Sequence, residues 1–343
     1  MLLPLLLAAE KKNNVYFYPV LDYADETGVS GGGVVTFLSR EQDIELKTPP
    51  DLLSLKLKGG IKGNYVIKME AEKQIEAGKY RLMFPCYYDN FPYVYDGIGN
   101  EINDNGQELD NSRLSFLFGM IRCWENYNFG FTYKGHRFYN NEKILADTDE
   151  TEILGDSGGW CLGPGLILEY DSRDNHYFPL RGALVRVKLQ NYSSALRSDY
   201  NFDNYSMQVA GFQKLGRLCV MAGNLNLSGN SGNVPFWELP DLNDEIRGFS
   251  QGLVKDRFLA SITGELRWFP FEKGLIGRCG FVLFGESGEV APEVKEFSIN
   301  DLHYSMGLGF RFLLNTDELY TLRFDMSMSK DHSSIDFSAR EAF

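Results

Sequence analysis

The sequence predicts an all-β protein, a 16-stranded antiparallel transmembrane β-barrel, from three observations. Apolar and polar residues alternate with a period of two, the polar faces carry charge at mid-strand, and short and long connections alternate along the chain. In the segment 303–313, Tyr304, Met306, Leu308, Phe310 and Phe312 fall on one face, and His303, Ser305, Gly307, Gly309 and Arg311 on the other. A soluble sandwich alternates too, but its inner face cannot take Glu265, Arg267, Arg311, Arg323 and Asp325. An apolar wall against lipid around a wet lumen accommodates both faces.

Taken in order, the alternating segments are 15–23, 31–38, 51–60, 63–72, 78–88, 111–121, 126–136, 159–171, 181–190, 202–211, 216–227, 256–268, 275–284, 303–313, 319–328 and 334–343. Of the connections, Arg122–Glu125, Phe269–Gly274 and Leu314–Glu318 are short, whereas Asp89–Asp110, Arg137–Gly158 and Ser228–Arg257 are long. Short turns belong on the periplasmic side and long loops outside. The loop Asp89–Asp110 has six acids and no Lys or Arg, which reads as a solvated loop. In the last segment Ile335, Phe337, Ala339 and Phe343 share a face that also carries Glu341, and parity with a terminal aromatic assigns the apolar ones to lipid or the interface.

Composition agrees. Gly, Tyr and Phe are abundant, at 35, 19 and 25 residues of 343. No apolar run approaches 18 residues, which excludes a transmembrane helix. A net charge of −13 without a basic cluster excludes nucleic acid as a partner. Five cysteines without C-x-x-C spacing and four scattered histidines predict neither a disulfide framework nor a metal site, and no cofactor is implied. Residues 1–12 resemble the tail of an export signal that lacks its basic region, leaving 13–343 as the barrel.

Gly155-Asp156-Ser157-Gly158-Gly159 spells the nucleophile segment of chymotrypsin-like proteases. It falls in a long acidic loop, and the only upstream histidine, His136, lacks the expected spacing. The same segment and Gly28-Val29-Ser30-Gly31-Gly32 match a nucleophile elbow, but no amphipathic helix follows either. No catalytic residues are expected, and the protein is not predicted to be an enzyme.

The run from Gly163 through Tyr170-Asp171-Ser172-Arg173-Asp174-Asn175 to Pro179 and Gly182 resembles the strand-turn-strand signature of the bacterial surface antigen family. This is the barrel of BamA/TamA-type outer-membrane assembly proteins. Tyr18-Pro19 with Glu26-Thr27-Gly28, Tyr95-Asp-Gly-Ile-Gly-Asn100, Ile246-Arg247-Gly248-Phe249, Gly307-Leu-Gly-Phe-Arg311, Leu322-Arg-Phe-Asp325 and the final Phe343 follow in the family's order. The resemblance implies one 16-stranded barrel whose long external loop carries Arg247, Gly248 and Phe249 and folds into the lumen. It matches Arg247 to the loop arginine and Asp325 to the strand acid that receives it, with Glu265 the alternative partner by parity. It assigns Asp171, Arg173, Asp174, Pro179 and Gly182 to a periplasmic turn and Phe343 to a C-terminal signal read by barrel assembly machinery.

Two departures stand out. Only about a dozen residues precede the first strand, which leaves no room for the periplasmic POTRA domains. Phe281–Val290 lacks the Asp before Gly that the family often has, so that carboxylate is displaced or lost. The resemblance implies a bacterial outer-membrane location, contact with outer-membrane lipid, and a role in assembling or translocating outer-membrane protein clients, with an accessory periplasmic protein as a further partner. The alternative is a pore or scaffold that keeps the barrel without insertase activity.

Overall fold

The computed structural model describes residues 11–24, 28–41, 48–90, 93–102, 106–141, 144, 153–330 and 332–343. The expected leader lies outside these except for its last two residues, which begin the first strand. The barrel strands are β1 (Lys11–Ala24), β2 (Gly28–Glu41), β3 (Asp51–Gly60), β4 (Tyr65–Ile75), β5 (Tyr80–Met83 and Cys86–Asp89), β6 (Asn111–Trp124), β7 (Tyr127–Asn140) and β8 (Gly159–Asp171). They continue as β9 (Gly182–Tyr192), β10 (Phe202–Lys214), β11 (Cys219–Gly232), β12 (Phe258–Trp268), β13 (Cys279–Ala291), β14 (His303–Asn315), β15 (Tyr320–Met328) and β16 (Ser333–Ala339). Each pairs antiparallel with its sequence neighbours, and β16 returns to β1. The architecture is the closed 16-stranded barrel expected from the alternation. β5 is split because Pro85 has no N–H to give the ladder, yet Phe84 still exchanges backbone bonds with Ala71.

Parity separates two chemistries. Large apolar side chains such as Phe129, Phe131, Leu166, Leu168, Ile262, Leu266 and Leu283 stand exposed on the outside, and Trp124, Tyr127 and Trp268 form an aromatic row at the end that carries the termini. Ion pairs fill the inside: Glu169 takes Arg81 at 3.1 Å and Arg186 at 2.6 Å, and accepts from Asn128 at 2.7 Å.

Both mouths are occupied. At the end remote from the termini, Phe138 packs edge-on with Tyr93 and Phe236 and stacks on Trp237. The fully buried Lys255 holds its Nζ 3.9 Å from the centre of the Tyr93 ring, while its carbonyl accepts from Gly99 N at 2.8 Å. These contacts bind the short hairpin Tyr93–Tyr95 with Gln107–Leu109 to the loop 233–257.

The expected alternation of connection lengths holds only for the middle of the chain. At the remote end the connections 25–27, 61–64 and 329–332 are short, whereas 172–181 and 269–278 at the termini end run longer. The long remote connections join β5 to β6, β7 to β8 and β11 to β12, away from the β1/β16 junction.

Candidate functional site

Arg247 lies inside the barrel. The loop 233–257 turns inward because Leu242, Ile246, Phe249, Leu253 and Val254 form an apolar cluster with Leu259 of β12 and Val290 of β13. That cluster carries Arg247 onto a row of wall carboxylates. Its Nη1 donates to Asp325 Oδ2 at 2.7 Å, its Nη2 to Glu265 Oε1 at 2.7 Å, and its Nε and Nη2 to Glu286 Oε1 at 2.9 and 2.7 Å. Its backbone N–H donates to Glu286 Oε2 at 2.7 Å, and the guanidinium carbon lies 3.4 Å from the centre of the Phe284 ring. Burial opposes the charge, but Glu265, Glu286 and Asp325 outweigh it and raise the Arg247 pKa above its ordinary value. Gly248 has φ 85°, and a Cβ there would sit 3.2 Å from Ser305 Oγ, so glycine is required for the close approach. Phe249 packs edge-on against His303.

Both expected partners are engaged. Glu286 supplies a third carboxylate on the stretch where the sequence left one displaced or lost. Its signal was there, a charged residue at inward parity with Val282 and Phe284.

The wall arginines complete a ring. Arg267 Nε donates to Glu265 Oε2 at 2.8 Å, and Arg311 Nη1 to Asp325 Oδ1 at 2.5 Å. Arg311 Nε donates to Glu341 Oε2 at 2.8 Å, with Arg267 Nε 3.8 Å from the same oxygen. Around the ring the order is Arg247, Asp325, Arg311, Glu341, Arg267 and Glu265, with charges alternating throughout.

Phe343 corrects an expectation. β16 ends at Ala339, Arg340 takes φ 71°, and the last residues turn into the lumen. Phe343 lies 5.9 Å from Phe212 between ring centres, under the Arg267 guanidinium at 4.9 Å. Strand parity ceases to apply past a left-handed residue, so it could not place Phe343. Phe337 and Ala339 keep outward parity, yet they cluster with Tyr18, Val20 and Val34 from the inner faces of β1 and β2 instead of meeting lipid.

The closing junction is therefore a seam that overlaps like a scroll. Among the described residues the single paired position between β1 and β16 is Tyr23 with Ile335, whereas β1 and β2 pair from Lys11 to Ala24. Side chains hold the overlap: Tyr16 stacks on Tyr320, Arg40 clasps Glu318 at 2.6 Å, Lys12 meets Asp317, and Arg340 reaches Glu70 at 2.5 Å. Pro19 sits in the edge strand, where a missing N–H is tolerated.

The turn after β8 is organised by the residues singled out for it. Arg173 is bidentate on Asp171, Asp174 Oδ1 accepts from the backbone of Leu180 and Arg181, Pro179 is buried, and Gly182 has φ 106°. A Cβ on Gly182 would meet Ser172 O at 2.3 Å. The turn does more than reverse the chain. Tyr177 and Phe178, which the sequence did not single out, are buried against Tyr320 and Phe269 and stop the termini-end mouth.

The protease-like segment is a turn into β8. Asp156 Oδ1 accepts from Ile144 N at 2.9 Å, and His136 faces Glu238 in the lumen.

A closed 16-stranded antiparallel barrel with an apolar exterior defines the class of outer-membrane-type β-barrels. Residues 74–336 match the Omp85 superfamily domain, and the chain belongs to that superfamily. No curated protein matches it. Among solved structures it is similar to BamA from Haemophilus ducreyi lacking POTRA domains 1–3, at 13% identity and TM-score 0.57, covering 96% of this chain and 70% of that one. It is also similar to CdiB from Acinetobacter baumannii, at 12% identity and TM-score 0.52, covering 95% of this chain and 59% of that one.

Proposed function

We propose that this protein resides in the bacterial outer membrane and takes part in outer-membrane protein assembly or translocation through the β1/β16 seam, without covalent chemistry. The observation that carries this reading is the seam itself, with a single paired position among the described residues, at Tyr23 and Ile335. Backbone N–H and C=O groups left without ladder partners in hydrocarbon cost several kcal/mol each, so an edge beside lipid favours any strand that supplies partners. The mechanism follows from that cost. An incoming client strand pairs with the free edge of β1, the side-chain clasp yields, and the client leaves sideways into lipid as its own sheet closes. The 172–181 turn keeps the termini-end mouth stopped by Tyr177 and Phe178 while the wall opens. Clients and an accessory periplasmic protein are the partners of this reading, and assembly machinery inserts the barrel itself.

Liposomes holding the purified protein should accelerate the folding of an added barrel client relative to empty liposomes. Equal rates would refute the assembly role.

A second reading, a pore or scaffold, is favoured by two lumen cavities of about 340 and 280 Å³. They share Ser206, Asp244 and Glu245 and run beside the plugging loop. High ion conductance without client folding would select it.

A further inference from the structure

The ring of charges joins two segments that the fold otherwise keeps apart, the lumen loop and the tail that follows the seam strand. Arg247 enters from the remote end and shares Glu265 and Asp325 with Arg267 and Arg311. Those two arginines are also the anchors of Glu341, which lies two residues beyond β16. We propose that the segment 340–343 is a strap whose hold on the seam strand is set by the lumen loop, through the chain Arg247, Glu265 and Asp325, Arg267 and Arg311, Glu341.

The balance of charge gives the direction of the coupling. With the loop docked, Arg247, Arg267 and Arg311 face Glu265, Glu286, Asp325 and Glu341, three cations for four carboxylates. Arg323 stands to one side, bound to Asp336 at 2.8 Å and 3.5 Å from Asp325. If the loop withdraws, two cations remain for the same four carboxylates. Repulsion within a group of nearly dry carboxylates must then be relieved by moving or protonating one of them. Glu265, Glu286 and Asp325 are fixed on strands paired on both sides. Glu341 is on the short tail, so the strap moves. Its departure takes Phe343 from beneath Arg267 and frees the end of β16 beside the overlap with β1. Linkage requires the reverse as well: releasing Glu341 leaves Arg267 and Arg311 to compete with Arg247 for Glu265 and Asp325, which loosens the loop. The strap would thus report loop position to the seam. That consequence rests on the proposed role of the seam, whereas the coupling itself does not.

The test reads tail exposure without any activity. Cys86, Cys123, Cys161, Cys219 and Cys279 are replaced by alanine or serine, and Ala342→Cys is introduced. A polymer-linked maleimide too bulky for the lumen then reports departure of the tail as a gel shift, measured on barrel that keeps its folded electrophoretic mobility. Labelling should be slow in this parent and about tenfold faster with Glu341→Gln, the factor set by losing one charged hydrogen bond. It should be faster to a similar degree with Arg247→Gln. Asp241→Asn, which leaves one oxygen for the two backbone donors Asn243 N and Gly252 N elsewhere in the loop, should label like the parent. If Arg247→Gln yields no folded barrel, Gly248→Ala takes its place, since it strains the docked loop without altering a charge. Parent-like labelling of the loop variant alongside fast labelling of Glu341→Gln would overturn the coupling. Parent-like labelling of Glu341→Gln would overturn the strap, and equally fast labelling of Asp241→Asn would replace the ring with general loosening of the loop.

Discussion

At Arg247 the decisive quantity is how many buried acceptors lose their cation together. Arg247→Ala leaves Glu265, Glu286 and Asp325 short of a shared partner, and breaking a buried pair typically costs about 3–5 kcal/mol. The loop should undock while the barrel stays folded, seen as tryptic cleavage at Lys255, which is fully buried when the loop is docked. Continued protection of Lys255 would contradict this. Pairwise logic would have Asp325→Arg rescue Arg247→Asp. The ring forbids it, because a cation at that position would face Arg311 and Arg323. Glu245 adds a pH dependence. Burial, and then neighbouring Asp244, push its carboxyl up to about 7, with Lys188 of the wall opposing. A docked loop therefore keeps the proton at pH values where a free loop has lost it. Docking should weaken as pH rises from about 4.5 to about 7 and then level off. Glu245→Gln should stabilise docking at pH 8 and change little at pH 4, as followed by the same cleavage. A greater gain at pH 4 than at pH 8 would reverse the sign. At this scale the sequence disclosed Arg247, Asp325 and Glu265, because parity and family order survive without coordinates. Glu341 was hidden, since only the left-handed turn at Arg340 brings it inside.

Among the elements, the turn 172–181 shows how a short connection becomes a plug. Asn175 Oδ1 accepts from the backbone of Tyr177 and Phe178, both at 2.8 Å, and its Nδ2 donates to Glu318 O at 3.1 Å in the neighbouring turn. Asn175→Ala removes all three bonds at a cost of about 1–3 kcal/mol for buried groups left unpaired. The mouth should loosen before the wall does, so ion conductance in planar bilayers should rise while heat-modifiable gel mobility still reports a folded barrel. Unchanged conductance would show that Tyr177 and Phe178 hold the plug unaided. Strands were legible because alternation is local, and expected segments such as 159–171 and 303–313 reappear as β8 and as all but the last two residues of β14. Inward plugging was not legible in this turn. Tyr177 and Phe178 lie between strands, where period-two patterning has no meaning and burial depends on packing with other elements, Tyr320 and Phe269 among them.

For the whole molecule, the account makes the seam the moving part and the lumen ring the element that holds it. With an apolar exterior and occupied mouths, the β1/β16 junction is where the wall pairs least among the described residues. Both flanking strands were legible in the sequence but the way they meet was not, because overlap of Phe337 and Ala339 with Tyr18 and Val20 is a contact between the two ends of the chain. The measurement that addresses the central claim most directly locks that contact. With the native cysteines replaced, Tyr23→Cys and Ile335→Cys place thiols at a paired position across the seam. Client-folding rates in liposomes are then compared before and after reduction. The account predicts that the oxidised protein folds clients no faster than empty liposomes and that reduction restores the acceleration. Equal acceleration by oxidised and reduced protein would contradict it.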